Sequence, residues 1–105
     1  MNAEMLKGTI DLLILSVLSD QDNYGYEISK SIKERTEGRF EIQEATLYLS
    51  LKRLEQQGAV SAYWGDHSHG GRRKYYAMTG IGNQHLHQSI ADWKATVEIV
   101  NRFTN

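Results

Sequence analysis

Three consecutive cations, Arg72, Arg73 and Lys74, follow directly on Gly70-Gly71. Two glycines let a backbone approach a phosphate closely, and guanidinium and ammonium groups beside them neutralise its charge. The pattern suits phosphate binding at the tip of a hairpin. On a strand, Arg72 and Lys74 share one face and Arg73 takes the other, so two of the three cations reach a single backbone. A structural use of the same charges is protection of an exposed sheet edge.

A second constellation lies upstream. The run ATLYLSLKRLEQQG, from Ala45 to Gly58, has Leu47, Leu51 and Leu54 at helical spacing. Those leucines point inward together, which turns Ala45, Leu49, Lys52 and Gln56 outward, with Tyr48 and Arg53 flanking them and Thr46 and Ser50 among the polar neighbours of Leu49. Lys52 and Arg53 suit phosphates or guanine edges, and Leu49 suits a thymine methyl. A merely solvated helix face is the alternative.

Other chemistry finds little support. His67-x-His69 and His85-x-His87 are possible chelating pairs. The second pair sits ~200° apart on a helix and cannot hold one ion together. Gly80-x-Gly82 lacks the third glycine of a dinucleotide fingerprint, with His85 in its place. No catalytic serine, zinc-protease or phosphate-loop motif is present. With no cysteine there is neither thiolate chemistry nor a disulfide. The sequence therefore predicts no enzyme activity, no cofactor and no metal.

The elements that must position these residues read as follows. A first helix, about Ala3 to Leu18, is apolar nearly all round, so it must be buried on more than one face. A polar break at Ser19 to Asn23 precedes a second helix, about Tyr24 to Thr36, with Asn23 as the expected N-cap. Ile28, Ile32 and Gly25 form its inner stripe, and Gly25 permits close packing. Tyr24 and Tyr26 stand where they could meet phosphates, although Tyr26 suits the core equally. The third helix runs from about Glu44 to Gln57, closed by Gly58. Two strands follow, about Val60 to Trp64 and Arg72 to Ala77. Thr79 is the expected N-cap of a last helix reaching about Phe103.

On that last helix Leu86, Ile90, Trp93, Val97 and Val100 alternate steps of four and three, the spacing of a helix-pairing seam. A helix ~35 Å long, at ~1.5 Å per residue, exceeds what a small domain covers. Its distal apolar residues call for a partner, most simply a second copy of the chain. Trp93 is then either a bulky dimer-core residue or, paired across a two-fold axis, the wall of a flat slot for planar aromatic molecules. Ile90, Val97, Leu6 and Ile10 are its expected neighbours.

The whole chain has 105 residues and a net charge of -1. The length suggests one compact domain, with residues 1-78 as a winged helix-turn-helix DNA-binding unit and 79-105 as a C-terminal dimerisation helix. The near-neutral charge does not advertise nucleic-acid binding, but clustering of cations matters more than their sum. No signal segment and no bilayer-spanning apolar run are visible, so the expectation is a soluble cytoplasmic protein with no membrane partner.

The chain resembles the PadR family of bacterial transcriptional repressors and, within it, the small LmrR-like, multidrug-responsive subgroup. The resemblance rests on Asp22 to Ile28, Glu44 to Tyr48, Lys52 to Glu55, Tyr63 to Asp66 and the run Gly70 to Tyr76. It implies a mainly α fold with a small β-hairpin, a winged helix-turn-helix plus a long C-terminal helix that dimerises against the first. It also implies repression through partly palindromic operators in double-stranded DNA. In the subgroup a tryptophan on the last helix stacks on flat aromatic drugs at the dimer centre, and Trp93 occupies the matching position. Ile90 stands where the drug-binding relative has an aromatic, and Val97 where it has an acid, which weakens any preference for cations. Gln43 departs from the usual N-cap residue before the third helix.

The reading that results is a homodimeric transcriptional repressor responsive to aromatic small molecules. Thr46, Tyr48, Leu49, Lys52 and Arg53 face the DNA groove. Tyr24, Gly70, Gly71, Arg72, Arg73 and Lys74 meet the DNA backbone. Two recognition helices on one dimer match half-sites ~34 Å apart. The alternatives are a winged-helix module for protein–protein interaction, or a ligand sensor without specific DNA binding.

Overall fold

The computed structural model describes residues 3–65 and 72–104. Seven elements follow in order: α1 (Ala3–Asp20), β1 (Asn23–Tyr24), α2 (Gly25–Arg35), α3 (Glu44–Gln56), β2 (Val60–Trp64), β3 (Lys74–Met78) and α4 (Gly80–Thr104). The fold is mainly helical, as expected, and carries the two strands of a wing. None of its helices is long and apolar enough to cross a membrane.

The expected hairpin is part of a three-stranded antiparallel sheet in the order β1-β3-β2. The added strand, β1, has only two residues, with Asn23 opposite Tyr76 and Tyr24 opposite Tyr75. This corrects the start of α2. Asn23 is spent on the sheet, and its Oδ1 accepts from the adjacent Tyr24 N–H at 3.1 Å. Tyr24, in extended conformation, is the N-cap and provides no side-chain cap.

The helical core follows the leucine and isoleucine spacing. Ile10, Ile14, Leu15, Val17 and Leu18 of α1 are all buried, as the all-round apolar pattern required. Ile28 and Ile32 of α2 meet them, with Leu47, Leu51 and Leu54 of α3. Val60, Tyr76 and Leu86 complete the cluster.

The junctions that hold α3 against the wing are strongly specified. Ala59 N–H donates to the Leu54 carbonyl at 2.9 Å and Gly58 N–H to that of Glu55 at 3.0 Å. Gly58 lies at φ +74, the left-handed conformation that this helix ending requires. Thr79 fulfils its expected role: its Oγ1 accepts from Gly82 N–H at 3.1 Å and donates to the Gly58 carbonyl at 2.5 Å. One threonine thus caps α4 and ties it to the end of α3. Gln43 precedes α3 without a side-chain cap bond.

Candidate nucleic-acid interface

The outward face of α3 is open. Ala45, Leu49, Lys52 and Gln56 are exposed, and Leu49 retains 65% of its accessible surface. A solvated Leu amid polar neighbours is the kind of residue that an apolar base edge would cover. Thr46 is half-buried beside them.

Tyr48 is exposed on one side and packed on the other. Its ring lies against the start of α2, where a Cβ on Gly25 would stand 2.7 Å from the Tyr48 Cζ atom. A side chain at residue 25 would displace the Tyr48 ring, so the close packing expected of Gly25 is made with a residue of the outward α3 face. Tyr26, which suited either core or surface, is exposed at 65%.

Arg53 departs from expectation. Its Nη2 donates to Asp11 Oδ1 at 2.6 Å and to Ser50 Oγ at 3.3 Å. The helical wheel puts Arg53 between the two faces of α3, and the carboxylate on α1 draws it inward. It is a tie between helices rather than a groove-facing cation.

The wing cations rest on aromatic rings. The Arg72 guanidinium lies 5.3 Å from the Trp64 ring centroid, Arg73 lies 4.7 Å from that of Tyr24, and Lys74 Nζ lies 5.6 Å from that of Tyr76. Lys74 also approaches Glu55 at 3.8 Å, an exposed pair worth little. Gly65 N–H donates to the Arg73 carbonyl at 2.8 Å, which holds the strand ends together below the loop. Gly70 and Gly71, and the histidines at 67 and 69, lie outside the described residues. Among the described residues, no group of three metal-ligating side chains converges.

Sequence reasoning missed the aromatic ladder behind these cations. Tyr63 and Tyr75 stack at 5.7 Å, and Tyr24 meets Tyr75 edge-on at 5.4 Å. Tyr63 and Tyr75 are register partners across the sheet, while Tyr24 joins through β1. The Tyr24 hydroxyl donates to Glu27 at 3.3 Å. Burial raises the Tyr24 phenol above its usual value, opposed by Arg73 and reinforced by Glu27. The alternating tyrosines were the available signal for this ladder, and the two-residue strand that completes it was not readable.

On α4, Trp93 is 58% exposed and borders a shallow recess of about 260 Å³ with Gly8, Thr9, Leu12, Ser89 and Asp92. Ile90 and Val97 are half-buried, and Ile90 packs on the core. Ile10, expected beside Trp93, is instead 4% exposed within the core. Helix α1 turns Gly8, Thr9 and Leu12 toward the tryptophan. The Leu6 side chain lies outside the described residues.

Comparison with known proteins agrees with this architecture. Residues 14–88 match the model of the transcriptional regulator PadR-like family. A transcriptional regulator from Clostridium thermocellum superposes with a TM-score of 0.90 at 36% identity, covering 100% of this chain and 99% of that one. A PadR family transcription regulator from Clostridium difficile gives 0.80 at 40% identity, covering 91% and 98%. An uncharacterised protein of Lysinibacillus sphaericus is 42% identical over 96% of this chain and 93% of its own length. The transcriptional regulator YqjI of Escherichia coli is 30% identical over 78% of this chain, which matches only 38% of YqjI. These regulators are not enzymes, and the chain belongs to the PadR-like family of transcriptional regulators.

Proposed function

We propose that the protein is a homodimeric transcriptional repressor that binds double-stranded operator DNA. The observation that carries this reading is the pairing of an open α3 face, built on Leu49 and Lys52, with the cations of an adjoining wing. In it, α3 enters the major groove, and Ala45, Thr46, Tyr48, Leu49 and Lys52 lie nearest the bases. Arg72, Arg73 and Lys74 hold the backbone, with Gly70 and Gly71 giving close approach. Tyr24 acts through Arg73, whose guanidinium it supports.

Residues 1-78 form the DNA-reading unit, and 79-105 the helix through which two copies associate. Exposed Trp93, Ile99, Val100 and Phe103 support that division, because a single chain leaves them in water. In the dimer, Trp93 stacks on planar aromatic molecules, as in the LmrR-like subgroup, with Ile90 and Val97 nearby. Such a ligand induces expression only if it binds one spacing of the two wings better than the other.

The test is a titration of the purified protein against DNA upstream of its own gene, by fluorescence anisotropy at two salt concentrations. Saturable, salt-sensitive binding that outcompetes random duplex is expected. If genome-wide fragment selection also yields no preferred sequence, the repressor reading fails.

A further inference from the structure

A recess of about 600 Å³ opens between the first turn of α2, the 36–43 connection and the first turn of α3. It is separate from the Trp93 recess and falls within the range of about 300–1,000 Å³ typical of small-molecule sites. Tyr26 and Tyr48 border it, Ile42 and Leu47 supply buried apolar surface, and Glu41 and Glu44 add carboxylates.

Three observations make this more than a dip between helices. First, the Tyr48 ring packs against the start of α2, where it fills the space that a side chain at residue 25 would need. Second, Tyr26 is a large ring 65% exposed, and it has no hydrogen-bond or ring partner among the described residues. Third, the lining carries two acids and no Lys or Arg. Glu41 already has Lys33 at 3.6 Å, whereas Glu44 has no ion-pair partner among the described residues. Electron-rich ring faces beside an uncommitted carboxylate suit a weakly hydrated organic cation. They disfavour anions.

We infer that this recess is a binding site for a small organic cation carrying an aromatic or quaternary ammonium group, held by Tyr26, Tyr48 and Glu44. Its position gives it a consequence. Tyr48 belongs to the face of α3 assigned to the groove, so an occupant competes with DNA directly, within one chain and without any change at the dimer seam. That consequence rests on the DNA-binding reading above, whereas the cation site does not.

The test titrates the full chain with benzyltrimethylammonium, followed by amide and side-chain NMR shifts, with benzenesulfonate as the anionic control. It is run in the Trp93→Ala background to silence the other aromatic recess. Saturable shifts at Tyr26, Ser29 and Glu44, weakened about tenfold by Tyr26→Ala and by Glu44→Gln, are expected. Both substitutions lie at exposed positions, and unchanged upfield methyl resonances confirm that the variants fold. Absence of saturation at millimolar probe, undiminished affinity in the two variants, or equal binding of benzenesulfonate overturns the site. A second arm adds the probe to the protein–operator complex. Release of DNA by wild type but not by Glu44→Gln supports competition, and release by neither overturns the competition while leaving the site intact. Lack of any operator binding sinks the DNA reading alone, since the NMR arm needs no DNA.

Discussion

Arg53 on α3 and Asp11 on α1 form a 2.6 Å ion pair that joins the helix assigned to the DNA groove to the helix beside the Trp93 recess. The side chains keep 27% and 23% of their exposure. Ser50, buried on α3, accepts a second bond from the same guanidinium nitrogen. Truncating Asp11 leaves a half-buried cation without its counter-charge. Asp11→Ala is expected to cost about 2 kcal/mol, below the loss for a fully buried pair because solvent still reaches the site. Urea unfolding measures it. The double variant Asp11→Ala with Arg53→Met should recover much of the loss, because the unpaired charge goes with its partner.

The wing should behave differently from Arg53. Arg72 and Arg73 neutralise phosphates in the proposed complex, so Arg72→Gln with Arg73→Gln weakens binding at every sequence. The pair of substitutions also lowers the slope of log affinity against log salt, by about one for each phosphate left without its arginine. Arg53→Gln leaves that slope at the wild-type value, since Arg53 faces α1. Anisotropy titrations across a salt series separate the two. An unaltered slope in the wing double variant rules out these two arginines as phosphate ligands.

Two glycines at the start of α4 make a matched pair. A Cβ on Gly82 would lie 2.0 Å from the Ala59 carbonyl oxygen, a backbone atom that cannot step aside. A Cβ on Gly80 would meet nothing within 4 Å. Gly82→Ala is therefore expected to destabilise by about 3 kcal/mol, the upper range for overpacking. Gly80→Ala is expected to be neutral or slightly stabilising, from helix propensity. Thermal unfolding of the two variants in parallel gives the comparison. It also tests the Thr79 junction, because Gly82 N–H is the donor that Thr79 caps.

Much of the fold was legible because local periodicity and tertiary burial coincide. Leu47, Leu51 and Leu54 lie on one helical face and are all buried. Gly58 and Thr79 carry the ending and capping signals that the backbone uses. The failures share one cause, which is that the deciding partner is distant in sequence. Asn23 looks like a helix cap, but Tyr76 on β3 recruits it to a sheet. Arg53 sits between helix faces, and Asp11, 42 residues upstream, settles where it points. Ile10 fits a seam as well as a core on spacing alone, and packing places it in the core.

Alkaline pH should loosen the wing. The Tyr63 phenol is raised above 10.0, first by its hydrogen bond to Asp22, then by burial and by the Asp22 charge. Its O–H donates to Asp22 at 2.7 Å, a bond that requires the protonated phenol. A raised folded-state value means that the contribution is fully present below the unfolded value near 10. It is lost as pH rises through the higher folded value. Tyr24 and Tyr76 are raised as well, chiefly by burial, and act in the same direction. Denaturation midpoints should therefore be flat toward neutral pH and fall above about pH 10. Tyr63→Phe should show a shallower fall, and an identical fall would exclude Tyr63 as a contributor.

The far end of α4 should decide association. Phe103 is 85% exposed, and Ile99 and Val100 stand beside it within one turn. Trp93, Val97 and Val100 continue the stripe at steps of four and three, so the apolar surface is contiguous along the helix. Isolated in water these residues gain nothing. Against a second copy related by a two-fold axis, each burial occurs twice. Burying one Phe side chain yields about 1.5–3 kcal/mol, so a symmetric pair yields about 3–6 kcal/mol, or at least a hundredfold in dissociation constant. Phe103→Asp adds the cost of desolvating a carboxylate at the seam, and should convert a dimer into a monomer at micromolar protein in sedimentation equilibrium. Since Phe103 lies outside the buried cluster of its own chain, the variant's monomer should keep the wild-type helical signal. A wild-type chain that sediments as a monomer would overturn the dimer, and a variant that remains dimeric would place the interface elsewhere.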